Sequence, residues 1–175
     1  AERIDGGDLA RLAHQVIEQA AQSGLPVASA AFDEPASLGV LDDFVATTLW
    51  SAVARRASRG QGRAMLDAAV RILGADVEVA GRRLDALKDD VVSGRQEGHF
   101  APLFGVVARA FDLEREAAQA SFLHLALRGA LSAGVRLGIV GPFEAQSIHA
   151  AAESTLEAAL RRHESSRLDD VAQTT

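Results

Sequence analysis

The chain contains no cysteine. Disulfides, thiolate metal sites and a cysteine nucleophile are therefore excluded. Lysine is nearly absent as well. Lys88, within the run LDALKDD, is the only one. No GxxxxGK[ST] run occurs, so the chain has no phosphate-binding loop of that kind. A GxGxxG turn after a strand and a GxSxG elbow are also missing, and His163–Glu164 lacks the second histidine of HExxH. No uninterrupted apolar run is long enough to cross a bilayer. The best candidate, residues 121–141, is broken by Arg128 and Arg136. The N-terminus carries no signal-peptide pattern. These features lead to the expectation of a soluble, cytoplasmic protein.

What is present is a globular composition. Of 175 residues, 48% are hydrophobic and 24% charged, enough for one domain with a sizeable core. Eighteen basic against 24 acidic residues give a formal net charge of −6. That balance argues against a nucleic-acid binder, which needs a basic footprint.

Apolar residues recur at helical spacing nearly throughout, and β-branched residues are sparse. Asp8 is the expected cap of a first helix with Leu9, Leu12, Val16 and Ala20 inward and Ile17 beside them; Gly24 and Pro26 would close it. A short helix or turn over 26–32 and a loop at 33–35 follow. Ser37 is the next expected cap, opening a pattern through Leu41, Phe44, Val45, Leu49 and Val53 that could extend to Leu73. Gly60 and Gly62 within it suggest a bend or a close neighbour. After Gly74 the spacing predicts helices over 76–92, 100–111, 113–137 and 143–165, with a loop at 93–98. The Glu78–Arg82 spacing suits a surface pair. The expected fold is all-α: a single-domain multi-helix bundle around a central Ala/Gly-rich helix.

Three helical stripes stand out. Ala126, Ala130 and Gly134 lie one turn apart, either as a buried core face or as a close helix or subunit contact. His124, Arg128, Ser132 and Arg136 form a polar stripe on the same helix. It is either an exposed or internally paired face, or a face toward a partner or a water-filled passage. Arg55, Arg59 and Arg63, with Arg56 beside them, repel one another and call for acid opposite. That acid is either internal, with Asp85, Asp89 and Asp90 as candidates, or on a docking protein, unless the stripe is simply solvated. The histidines carry weak metal signals. His149 and Glu153 fall one turn apart, but a site needs three or four ligands. His14 is expected at the edge of a buried face. His99 opens a helix beside Pro102, where a structural hydrogen bond is the simplest role. Acid pairs such as Asp42/Asp43 read as helix-end electrostatics or solvation rather than acid–base chemistry. No catalytic residue and no cofactor emerge.

Several of these runs, in this order, resemble the UreF family of urease accessory proteins. One is His99–x–Ala101–Pro102–x–x–Gly105. Another is Leu131–Ser132–Ala133 with Arg136–Leu137. A third is Val140–Gly141–Pro142 followed by Gln146. Upstream, Arg56–x–Ser58 with Gly62 looks like the family's Arg–x–Ser–x–x–x–Gly helix. The resemblance implies a non-enzymatic scaffold that binds UreD (UreH), recruits the GTPase UreG and serves nickel insertion into the urease apoprotein, with a tendency to dimerise. Neither nucleic acid nor membrane is an expected partner. It carries over His99, Pro102, Arg136, Gly141 and Gln146 as structural or interface residues. With them stand Arg128 and Ser132 and the arginines at 55, 59 and 63. Two features depart from the family pattern: the Leu–Pro–x–Gly–Gly–Phe–x–His–Ser opening and the C-terminal tail are missing, so the chain is expected to lack both native ends. The competing class is a helical ligand-binding or dimerisation domain of a transcriptional regulator.

Overall fold

The computed structural model describes residues 5–73, 78–166 and 168. Among them every regular element is helical, as the apolar spacing predicts. The order is α1 (Gly6–Gln19), a π-helical turn (Ala20–Gly24), α2 (Leu25–Asp33), a 3₁₀ turn (Pro35–Ser37), α3 (Leu38–Thr48), α4 (Ala52–Leu73), α5 (Glu78–Val92), α6 (Phe100–Ala110), α7 (Arg115–Arg136), α8 (Pro142–Ala151) and α9 (Glu153–His163). None of these helices is long and apolar enough to cross a membrane.

The chain clusters into two compact units. One combines the residues up to Pro26 with Gln119–Ser166; the other is centred on Val27–Ala118. In the first unit, α1 begins at Asp5 rather than Asp8. Asp5 accepts from the Asp8 amide at 3.0 Å, and Asp8 accepts from the Asp5 amide at 3.1 Å. This reciprocal capping box satisfies two amides that a helix start leaves unpaired. The buried face also differs from expectation. It is Leu9, Ala13 and Ile17, continuing through Ala21 to Leu25, while Leu12 is 46% exposed. Spacing of four residues keeps this stripe on one side. Gly24 and Pro26 do not end the helix. Gly24 closes the π turn, and Pro26 lies in the first turn of α2, which continues from Leu25. A proline lacks the amide that a regular interior turn would use, and an i→i+5 turn just ahead of it relieves that mismatch. Opposite α1, Phe122, Leu123, Leu127 and Leu131 of α7 are buried, as are Leu156 and Ala159 of α9. Arg162 pairs with Glu18 at 2.5 Å, and His14 with Thr155 at 2.8 Å. His14 is exposed.

The second unit holds two apolar clusters. Leu38, Leu66, Leu73, Leu84, Val91 and Leu103 form one; Val27, Ala31, Leu41 and Val45 form the other. The expected continuous pattern from 37 to 73 is broken at 49–51. The Thr48 hydroxyl bonds back to the Phe44 carbonyl at 3.0 Å, and the Arg55 guanidinium donates to the Leu49 carbonyl at 2.5 Å and that of Trp50 at 3.2 Å. Carbonyls that lose their helical partners are thus taken up by a cation. Ser37 is the N-cap of α3, but its hydroxyl turns back to the Glu34 carbonyl at 2.7 Å. The expected helix over 143–165 is likewise two helices meeting at Ala152. Gly74, Val77 and the Glu78–Arg82 pair lie outside the described side chains.

Helix α6 lies unusually close to α2. A Cβ added to Gly105 would sit 2.7 Å from the Phe32 backbone nitrogen and 2.8 Å from the Ala31 Cβ. Backbone cannot move aside as a side-chain tip can. Gly105→Ala is therefore expected to lower stability by about 1–3 kcal/mol. Gly129 in α7 has open space around its Cα, so Gly129→Ala should raise stability by about 0.5–1 kcal/mol. Urea midpoints of the two variants check both signs.

Candidate functional site

The most polar part of the buried interior is the start of α6. His99 is its N-cap residue, yet its side chain caps nothing. The cap comes from elsewhere in the sequence. Asp42 of α3, only 1% exposed, accepts from the amides of Gly98 and His99, each at 2.8 Å. Ser58 of α4 accepts from the Phe100 amide at 3.1 Å and meets the His99 Nδ1 at 3.1 Å. A carboxylate at a helix N-terminus is favoured by both the free amides and the macrodipole. Asp42 is thus buried within α3 rather than solvated or placed at its own helix end as expected, and the helix end it serves belongs to α6.

Glycines make this geometry reachable. Gly98 has φ of 82°, a left-handed conformation that turns its amide and that of His99 toward the same carboxylate. Gly62 of α4 passes so near that an added Cβ would lie 3.0 Å from the His99 carbonyl carbon. This is the close neighbour expected for the Gly60/Gly62 pair; Gly60 itself faces open space.

His99 is fully buried, and its Nε2 has no hydrogen-bond partner. Burial pushes its pKa below the ordinary value; Asp42 and Glu97 oppose this, while Arg59 and Arg55 add to it. A protonated ring would carry a donor with no acceptor to meet it.

Outside this junction, α4 carries the arginine stripe. Arg59 pairs with Glu97 at 2.7 Å. The acid opposite the stripe is thus Glu97, not Asp85, Asp89 or Asp90. Asp90 pairs with Arg95 at 2.5 Å, and Lys88 of α5 pairs with Asp67 of α4 at 2.8 Å. Arg55 is occupied by the carbonyls at the break before α4, and Arg56 and Arg63 are exposed. On α7, Arg128, Ser132 and Arg136 are exposed, while His124 is half-buried and stacks on His149 with centroids 5.6 Å apart. Of the small residues, Gly134 is buried against Leu9; Ala126 and Ala130 are half-buried beside a leucine face. Gly141 and Gln146 are exposed at the start of α8, whereas Pro102 is buried in the first turn of α6. Among the described residues no group of three or more histidines or carboxylates is placed to hold a metal ion. Asp42 is the residue sequence reasoning undervalued. Its signal was an acid on the inward face of a helix.

A UreF family model matches residues 5–153. The chain belongs to the UreF family. Across 162 residues it is 26% identical to urease accessory protein F of Oryza sativa subsp. indica, covering 91% of this chain and 60% of that protein. It is 30% identical over 155 residues to an uncharacterized urease accessory protein UreF-like of Schizosaccharomyces pombe, covering 86% of this chain and 66% of the relative. Identity to urease accessory protein F of Arabidopsis thaliana is 33% over 106 residues, covering 60% and 42% of the two chains. This UreF-family chain therefore spans about 60% of the length of the rice relative. No solved structure matches it.

Two predictions follow from the junction. Asp42→Ala leaves two buried amides without an acceptor, at about 1–3 kcal/mol each, so the denaturation midpoint should fall sharply; Asp42→Asn, which keeps one acceptor oxygen, should fall less. The His99 effect has a definite sign. Its folded pKa lies below its unfolded value, near 6.5, so the unfolded chain binds the proton first. The stability difference between the parent chain and His99→Gln is constant above that value. It should shrink as pH falls through it toward the folded pKa. Urea titrations between about pH 5 and 8 measure it; a constant difference throughout would refute the assignment.

Proposed function

We propose that the chain is a non-enzymatic accessory factor in urease maturation. In this reading it holds UreD (UreH), recruits the GTPase UreG and supports delivery of nickel, as cargo, to the urease apoprotein. It does so as a homodimer. The observation that carries the reading is the UreF match, which runs from α1 to the start of α9. The proteins it resembles bear the name urease accessory protein.

The fold suits such work. Interfaces favour arginine, whose planar fork pairs with carboxylates, over lysine, and this sequence has a single lysine. The exposed residues Arg128, Ser132 and Arg136 of α7, with Gly141 before α8 and Gln146 within it, are the proposed partner contacts of the first unit. Arg55, Arg59 and Arg63 belong to a separate contact face in the second. His99 and Pro102, being buried, serve by fixing the start of α6.

Size-exclusion chromatography of the protein at its full natural length, mixed with purified UreD and UreG at micromolar concentration, tests the role. A single shared peak is expected; separate peaks reject it. Arg128→Glu/Arg136→Glu should weaken co-elution while leaving the unfolding free energy within about 0.5 kcal/mol of the parent, as for exposed sites.

A further inference from the structure

The face of α4 around Arg56 and Arg63 has properties that the junction beneath it does not require. From Trp50 to Leu66 the sequence holds four arginines and no acidic residue, in a chain whose net charge is −6. Two of the four are engaged: Arg55 with the carbonyls of Leu49 and Trp50, and Arg59 with Glu97. Arg56 and Arg63 form no ion pair among the described residues and project from the exposed side of the helix. Together with Ala52, Arg55, Arg59 and Gly60 they line a shallow depression of about 500 Å³. The Nε of Arg59, also there, is buried without an acceptor. Just ahead of the same helix, in the break at 49–51, Trp50 is 84% exposed, and Val53 in the first turn is 73% exposed. A solvent-facing tryptophan beside unpaired arginines is the composition of a protein-binding hot spot rather than of a solvated helix face.

We infer that this face docks an acidic helical segment of a partner protein, with Arg56 and Arg63 each taking a carboxylate and Trp50 covering an apolar side chain. The spacing sets the chemistry of that segment. Arg56 and Arg63 are seven residues apart, two turns, or about 10 Å along the axis. Two acidic residues likewise two turns apart on the partner helix meet both guanidinium forks at once. Gly60 lies between the two arginines with nothing within 4 Å of where its Cβ would be, so the middle of the depression stays low enough for a helix to lie along it. A nucleic-acid strand fits less well. The basic run is short, and the acidic remainder of the chain repels a polyphosphate that extends past it. The inference rests on the accessory-scaffold reading only for the identity of the partner; the chemistry of the face stands apart from it.

Fluorescence anisotropy tests it directly. The probe is a labelled 18-residue alanine-based helical peptide with two glutamates seven residues apart and a leucine two turns beyond. Matched peptides carry glutamine or lysine instead, and a single-stranded 18-nucleotide DNA is the polyanion control. The expected result is binding of the glutamate peptide that weakens at least tenfold in Arg56→Glu/Arg63→Glu and weakens with added salt. The lysine peptide should in turn prefer the charge-reversed chain. Should circular dichroism show that chain unfolded, Arg56→Gln/Arg63→Gln takes its place, with the same tenfold loss expected. Equal affinity for the glutamate and glutamine peptides overturns the inference. So does DNA that binds the parent more tightly than the glutamate peptide and is lost on charge reversal. The assay contains no UreD or UreG, so its failure leaves the co-elution test intact, and the reverse also holds.

Discussion

The Asp42 carboxylate is the interaction on which the second unit depends. A helix that starts in a protein interior exposes amides that water cannot reach, and each must find an acceptor. Helix α6 starts there, and its own N-cap residue, His99, offers it none. One carboxylate from α3 and one hydroxyl from α4 meet three consecutive amides, those of Gly98, His99 and Phe100. Two consecutive helices and a third some forty residues on are thereby fixed at one point. The apolar clusters around them add the bulk of the burial, but they are non-directional. The hydrogen bonds decide where α6 begins.

The arrangement also explains why the loop before α6 has its composition. Residues 93–98 must reverse direction, deliver two amides to Asp42, and place Glu97 beside Arg59. Gly98 at positive φ allows the first two, and the position of Glu97 follows. The arginine stripe of α4 is then divided. Its inner members are engaged by the loop and by the helix break, and its outer members are left to solvent. Structural and surface roles sit on one helix, separated by less than a turn.

The helical class was legible because apolar spacing near 3.6 residues persists almost everywhere, and burial rewards that periodicity regardless of detail. The first helix shows the limit. Leu9, Leu12 and Val16 satisfy the spacing as well as Leu9, Ala13 and Ile17 do, and only the neighbouring helices select the second set. Breaks were least legible. At 49–51 the chain turns without glycine or proline, because Thr48 and Arg55 satisfy the freed carbonyls. At 24–26, glycine and proline are present, but the helix continues through a π turn. The buried site depends on pairs separated by 42 to 57 residues, and no local pattern encodes such distances. His99 and Gly62 were nonetheless identifiable as structural, since a helix-opening histidine and a mid-helix glycine each imply a close neighbour.

The ion pair between Lys88 and Asp67 has a practical consequence. It joins α5 to α4 across 2.8 Å, and the ammonium lowers the Asp67 pKa through its hydrogen bond and its charge. Because no other lysine exists in the sequence, an acylating reagent or an acetyltransferase finds a single side-chain amine here, already engaged. Its rate of labelling therefore reads out how often this half-exposed pair opens. The protein carries a built-in reporter of that contact, and side-chain crosslinkers that capture its other surfaces must target carboxylates or guanidinium groups instead.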